Sequence, residues 1–284
     1  GWIGFLNVQE KNLLGNGQHL SFKWGFGGTD HLSLDFYEPR LLSSKTSFGI
    51  SFYDRTADQE EFTEKRKGGS ISLGYPLFET WRGSVKMKIE DYEKINPEAA
   101  NEIGKTRSLT LTAKQDTTDH PFNPTQGVMN NLSVEHAGSI FGGDHEFTKY
   151  NFDLRKFIPG FKEDHAWALR VKGGVGQGDI PPLERYRVGG SQSLRGYENY
   201  SFDGNDMLLL NLEYRFPIED KFTGVVFTDA GNAWDNLEQV QLNDLHYSGG
   251  VGVRVNTPIG QIRLDYGWNE NGKAMPHFSI GQTF

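Results

Sequence analysis

Three groups of residues in this 284-residue chain have types and spacing suited to chemistry. Asp116 and Asp119 stand beside His120, a set able to ligate a metal or to exchange protons as general acid and base. Pro121, Pro124 and Gly127 follow at once and favour a rigid rim turn instead, since each proline fixes its own backbone. Asp144-His145-Glu146 is the second group, but a strand places only alternate residues on one face, and the sequence offers no third ligand. The third is Arg195, within Gly189-Gly190-Ser191-Gln192-Ser193-Leu194-Arg195-Gly196-Tyr197. A guanidinium is a planar fork of donors that suits carboxylates. Gly196 gives the backbone freedom beside it, and Tyr197 can pack or hydrogen-bond there. No Gly-x-Ser-x-Gly, His-Glu-x-x-His or phosphate-binding loop occurs. The expectation is therefore a protein that is not an enzyme, with no metal and no cofactor. A barrel hydrolase, the catalytic alternative, needs a Ser or Asp/His constellation near a rim.

The elements that must position these residues are strands. With 35 Gly, 13% aromatic residues and no Cys, the composition suits one all-β unit without disulfides or thiolate metal sites. A net charge of −8 argues against nucleic acid as a partner. Mean hydropathy is −0.58, and no apolar run is long enough for a transmembrane helix. A transmembrane barrel is compatible with both facts, because only alternate residues of each strand face lipid. Gly1-Trp2-Ile3-Gly4 lacks the basic and apolar regions of a signal peptide, so the numbering is expected to begin after processing or within a longer protein.

Period-two alternation runs from end to end. Leu208, Leu210, Leu212, Tyr214 and Phe216 share one face, with Asn211, Glu213 and Arg215 on the other. Leu32/Leu34/Phe36, Phe48/Ile50/Phe52, and Ile262/Leu264/Tyr266 opposite Arg263/Asp265 repeat the pattern. About fifteen strands are predicted, near 1–10, 17–27, 30–39, 44–55, 61–76, 79–93, 104–116, 127–138, 144–157, 164–177, 205–217, 220–233, 245–257, 259–268 and 275–284. Short Gly/Pro turns alternate with longer polar connections, of which 178–204 is the longest. A soluble sandwich or lipocalin-like barrel also alternates, but its strands are commonly about 5–6 residues, whereas crossing a bilayer takes about 9–11. Residues 1–284 are read as one transmembrane antiparallel β-barrel domain without a linker.

Five motifs, in order, resemble those of the BamA-like family of outer-membrane assembly and translocation barrels. These are the bacterial surface antigens, their mitochondrial and chloroplast relatives, and two-partner secretion transporters. Residues 187–197 resemble the family's long loop motif; Gln115–Gly127 resembles its turn with paired Asp, Asn-Pro and Gly. Asn211–Pro217, Val226–Asn232 and Gly250–Gly260 are similar to the strands that follow. The last residues, with Phe278, Ile280, Gly281 and Phe284, resemble the terminal assembly signal of outer-membrane barrels. The resemblance covers nearly the whole chain.

The resemblance implies a sixteen-stranded barrel whose long loop folds into the lumen, with Leu194-Arg195-Gly196-Tyr197 against the inner wall at Glu213 and Asp229. Glu213 also fits by its own parity, opposite the Leu/Tyr/Phe face of its strand. Asp229 shares parity with Val225 and Phe227, which predicts a bulge or strand end near Gly231 that turns it inward. Asp116, Asp119, Pro124 and Gly127 are expected at a rim turn. The first family strand, and the POTRA domains that precede it, are expected to lie outside this sequence. The implied location is the outer membrane of a diderm bacterium, and the implied function is insertion of β-barrel proteins through a lateral seam. The alternative is a translocation or secretion pore of the same family. Implied partners are outer-membrane lipids, unfolded outer-membrane proteins, and accessory assembly lipoproteins or POTRA domains. A passive pore is a further alternative, opposed by the lumen loop.

Overall fold

The computed structural model describes residues 4–13, 15–27, 29–58, 62–96, 100–121, 123–219, 221–257 and 260–281. Its strands are β1 (Gly4–Leu13), β2 (Gln18–Phe26), β3 (Thr29–Glu38), β4 (Ser47–Asp58), β5 (Thr63–Pro76), β6 (Trp81–Ile95), β7 (Glu102–Asp116), β8 (Gly127–Ala137) and β9 (Phe147–Pro159). They continue as β10 (Ala166–Gly178), β11 (Tyr186–Val188), β12 (Phe202–Gly204), β13 (Asp206–Glu219), β14 (Phe222–Trp234), β15 (His246–Thr257), β16 (Gly260–Asn269) and β17 (Ala274–Ile280). Fifteen of them, β1–β10 and β13–β17, form one sheet in chain order, while β11 and β12 pair with each other in a second, two-stranded sheet. Where both ends are described, the predicted boundaries fall within about three residues of these. The unforeseen pieces are β11 and β12, three-residue strands inside the long loop and too short to show a period of two.

The chain divides into two compact units, one within 1–113, 133–148 and 178–184, the other within 114–132, 149–177 and 185–284. Each follows the same rule, with apolar residues outward and charges inward. In the first, Leu32, Leu34, Phe52, Ile71, Val85, Met87 and Ile89 are exposed, while Ser33, Glu64, Glu90, Thr106 and Ser108 are buried. In the second, Val226, Val251, Leu264, Tyr266, Phe278 and Ile280 are exposed, while Arg170, Glu213, Arg215, Asp229, Arg254, Arg263 and Asp265 are buried. A water-soluble sheet protein buries its apolar rows, because each Å² removed from water contributes about 25 cal/mol. Here those rows point out, as they must if the surrounding solvent is lipid. Among the described residues no helix is long and apolar enough to cross a membrane.

One expectation is corrected. Asp229 needs no bulge: β13 and β14 pair in unbroken register through Asn211↔Asp229 and Glu213↔Phe227, shifting only between Pro217 and Glu219. Val225, Phe227 and Asp229 are all buried on the inner face, and Val226 is half exposed on the outer one. Phe227 can face inward because the guanidinium of Arg195, from the long loop, lies over its ring.

Candidate functional site

The loop between β10 and β13 is built to keep its own shape. The β11–β12 ribbon, paired from Tyr186↔Gly204 to Val188↔Phe202, closes its base. Gly190 N–H donates to Leu194 O (3.1 Å), and the Ser193 hydroxyl both accepts from Gly189 N–H and donates to Gly189 O, each at 2.9 Å. Tyr186, Val188, Leu194 and Tyr197 pack with Met207 and Leu209 of β13 into one apolar cluster. Leu194 is fully buried there, a burial that contributes about 2 kcal/mol.

That packing delivers Arg195 to the wall. Its Nε and Nη2 donate to Asp229 Oδ2 (2.7 Å) and Oδ1 (2.8 Å), a two-pronged grip. Nη1 donates to Glu213 Oε1 at 2.5 Å, and the backbone N–H of Arg195 reaches Asp229 Oδ2 at 3.2 Å. The guanidinium carbon lies 3.5 Å from the centre of the Phe227 ring, so a cation–π contact adds to the pairs. The side chains of Arg195, Glu213 and Asp229 are at most 2% exposed. Asn211 joins loop to wall, its Nδ2 donating to Ser193 O and to Asp229 Oδ1, both at 2.8 Å.

The cluster extends beyond the residues expected from the sequence. Arg215 Nε donates to Glu213 Oε2 (2.9 Å), Arg254 bridges Glu213 (3.2 Å) and Asp265 (2.7 Å), and Arg263 lies 3.5 Å from Asp265. Four guanidiniums thus meet three carboxylates away from water. Glycines make the room. A Cβ on Gly250 would strike the Phe227 ring, and one on Gly252 would strike the Asp265 carboxylate. The sequence signal was present: charges at inward parity on β13, β15 and β16, with glycines at the same parity opposite them.

The tip lies on the wall backbone to backbone. Gly196 is at φ +87°, and a Cβ on Gly267 would stand 2.7 Å from Gly196 N. Tyr197 packs edge-on to Phe202 at 5.4 Å, and burial, with Glu270 nearby, pushes its hydroxyl up to about 12. Glu270, in the turn after β16, is held below the ordinary carboxylate range by its 2.7 Å hydrogen bond with His246.

The start of the loop, in the first unit, has its own anchorage. Arg66 Nη1 donates to Glu184 (2.9 Å) and Glu90 (2.8 Å), Arg66 Nη2 donates to Leu183 O (2.5 Å), and Lys88 Nζ reaches Glu184 at 3.3 Å. Tyr92 OH, His145 and Asp179 form a chain with 2.7 Å links through Nε2 and Nδ1. Asp144 and Glu146 have other tasks, accepting from Lys105 N–H and the Ser139 hydroxyl. Asp144, His145 and Glu146 therefore do not converge.

In the turn from β7 to β8, Asp116 accepts from the Thr118 N–H and hydroxyl. Asp119 accepts from Thr125 N–H (2.9 Å), Thr125 Oγ1 (2.6 Å) and Gln126 N–H (3.2 Å). His120 Nδ1 accepts from Asn123 N–H, Pro124 is buried, and Gly127 is at φ +106°, where a Cβ would strike Thr117 O. Among the described residues no three His, Asp or Glu side chains converge on a metal position. At the other end of the chain, Phe278 and Ile280 face outward and Gly281 N–H donates to Gln261 O at 2.8 Å; Phe284 lies outside the described residues.

The model of the Omp85 superfamily domain matches residues 12–284. The chain belongs to the Omp85 superfamily. It is 27% identical to the outer membrane protein assembly factor BamA of Nitratidesulfovibrio vulgaris, over 98% of this chain and 39% of that protein. The crystal structure of BamA from Haemophilus ducreyi lacking POTRA domains 1–3 superposes at a TM-score of 0.81 with 18% identity, covering 97% of this chain and 65% of that one. CdiB from Acinetobacter baumannii superposes at 0.68 with 15% identity, over 98% and 56%. The chain thus spans about two-fifths of the BamA relative's length. Its fold is the family's outer-membrane antiparallel β-barrel, and the loop-covered face is the barrel interior.

Proposed function

We propose that this barrel serves the insertion and folding of β-barrel proteins in the outer membrane of a diderm bacterium, through a lateral seam, with the Arg195 loop as an internal brace. The observation that carries the reading is the similarity to BamA over 98% of the chain, joined to a fold nearer to BamA than to CdiB, 0.81 against 0.68. The chemistry of the interior supports a mechanical role rather than a catalytic one. The carboxylates of Asp119, Glu213 and Asp229 are all engaged by donors of the chain itself, and none is left to activate a nucleophile. In this reading the protein works as an assembly factor, not as an enzyme, and no cofactor has a part. Its partners are outer-membrane lipids on the apolar rows, unfolded outer-membrane proteins at the seam, and accessory lipoproteins or POTRA domains at the periplasmic side.

A secretion pore is the second reading, kept because CdiB shares the fold. Proteoliposomes holding the protein with its natural flanking domains separate the two. Faster folding of a urea-denatured outer-membrane barrel, read by its heat-modifiable gel mobility, supports insertion. Unaltered folding, together with transport of an unfolded polypeptide into the vesicle, supports secretion. A large steady conductance in planar bilayers would fit neither, since the loop occupies the interior.

A further inference from the structure

We infer that His277 is a positioning residue that ties the pinned loop tip to β17, and that only its neutral imidazole can make the tie. Gly196 N–H donates to His277 Nε2 at 2.8 Å. A backbone N–H has nothing to offer but a proton, so Nε2 must present a lone pair, and the ring proton must sit on Nδ1. An imidazolium carries a proton on both nitrogens and accepts from neither. Protonation of His277 therefore removes the bond outright.

The surroundings are built for this contact. His277 shares inward parity with the buried Ser279, while Phe278 and Ile280 between and beyond them face outward. On β16 its register partner is Asp265, and two residues on is Gly267, whose missing side chain lets the tip approach. The charged groups that act on the ring are Asp265, its register partner on β16, Arg195, next to the donor Gly196 in the loop, and Asp229 on β14. Asp265 is already held by Arg254 and Arg263, and Asp229 by Arg195. A new positive charge at His277 thus finds its neighbouring carboxylates occupied and a guanidinium beside it. Loss of the bond and repulsion from Arg195 act in the same direction, lifting the tip from β17.

Among the described residues β17 pairs with β16 alone, so it is the last strand of the sheet. The tie from Gly196 adds an attachment on its inner side that the sheet ladder does not supply. The consequence for a seam rests on the proposed insertion function; the tie itself does not. Neutral His277 holds the last strand to the braced loop, and protonated His277 frees it from the loop while leaving Arg195 in place.

The test is hydrogen exchange by mass spectrometry on the full protein in nanodiscs, from pH 8 to pH 4.5, normalised to an unstructured peptide. The peptides read cover 191–198 and 274–281, with a β13 peptide as reference. One neutral hydrogen bond is worth a protection change of about five- to tenfold. The wild type is expected to lose that protection at the tip as pH falls, with β13 unchanged. His277→Ala should lack it at every pH. His277→Gln, whose amide oxygen accepts without titrating, should keep it at every pH. Protection in the wild type that ignores pH, or His277→Ala as protected as the wild type at pH 8, would overturn the inference. If His277→Ala does not fold, the wild-type pH series and His277→Gln still decide. No insertion activity enters this readout, so failure of the tie and failure of the proposed function are separate results.

Discussion

Replacing Arg195 by Ala removes three charge-assisted side-chain hydrogen bonds from a site where the partners are fully buried. The two carboxylates fare differently. Glu213 keeps Arg215 at 2.9 Å and Arg254 at 3.2 Å, so its charge stays compensated. Among the described residues Asp229 keeps the Asn211 amide and the residue-195 backbone N–H, neither of them a cation, and becomes a stranded buried anion. Breaking a buried pair by removing one partner costs about 3–5 kcal/mol. With one of two carboxylates still paired, the lower end, about 3 kcal/mol, is expected. Arg195→Lys should recover less than half, because an ammonium cannot grip both Asp229 oxygens in one plane and still reach Glu213. The double variant Arg195→Ala/Asp229→Asn should be more stable than Arg195→Ala alone, since no stranded charge remains. The assay is urea unfolding in detergent micelles, read by heat-modifiable mobility and tryptophan fluorescence. An Arg195→Ala midpoint equivalent to a loss below about 0.5 kcal/mol, or a double variant as unstable as the sum of its singles, refutes the reasoning.

Other perturbations test neighbouring parts of the account. Gly267→Ala places a methyl 2.7 Å from Gly196 N and should cost about 1–3 kcal/mol in the same unfolding assay, and raise exchange at the tip. Arg185, whose pairs with Asp203 and Asp235 are exposed on the acidic side, is the control: Arg185→Ala should change stability by less than about 1 kcal/mol. Asp119 resists burial's upward push, and its bonds from Thr125 and Gln126 hold its carboxyl below the ordinary 3.8. A depressed value means its contribution is complete above about pH 4 and fades as pH falls through the folded value. Asp119→Asn should therefore be less stable than the wild type at pH 7, with the gap closing on acidification; a gap constant down to pH 2 contradicts this.

Much of the fold was legible because lipid outside and charge inside impose opposite chemistry on alternate residues of every strand. Leu208 to Phe216 against Asn211, Glu213 and Arg215 shows it in one segment. The same logic misjudged Asp229, because it equates apolar with lipid-facing. Phe227, like Met207 and Leu209, faces inward against the loop, so parity rather than polarity decided its side. Arg263 and Asp265 stand out in the sequence as inward charges, yet their convergence with Arg254 depends on which strands adjoin and on the space left by Gly250 and Gly252. His277 carries no signal in the sequence, because its partner is a backbone N–H of a loop 81 residues away. The β11–β12 ribbon follows from loop packing, which no local period records.

The pinned loop is the central claim, and the absence of cysteine from the chain allows a direct measurement of it. Leu194→Cys places one thiol at a fully buried position beside Arg195, and Leu237→Cys places one at a half-exposed surface position. In intact outer membranes, reaction with a soluble maleimide should be at least about a hundredfold slower at 194 than at 237, a factor that corresponds to about 2.7 kcal/mol of opening. Adding Arg195→Ala should abolish most of that difference. Equal labelling of the two thiols with Arg195 intact would contradict a loop held against the barrel wall.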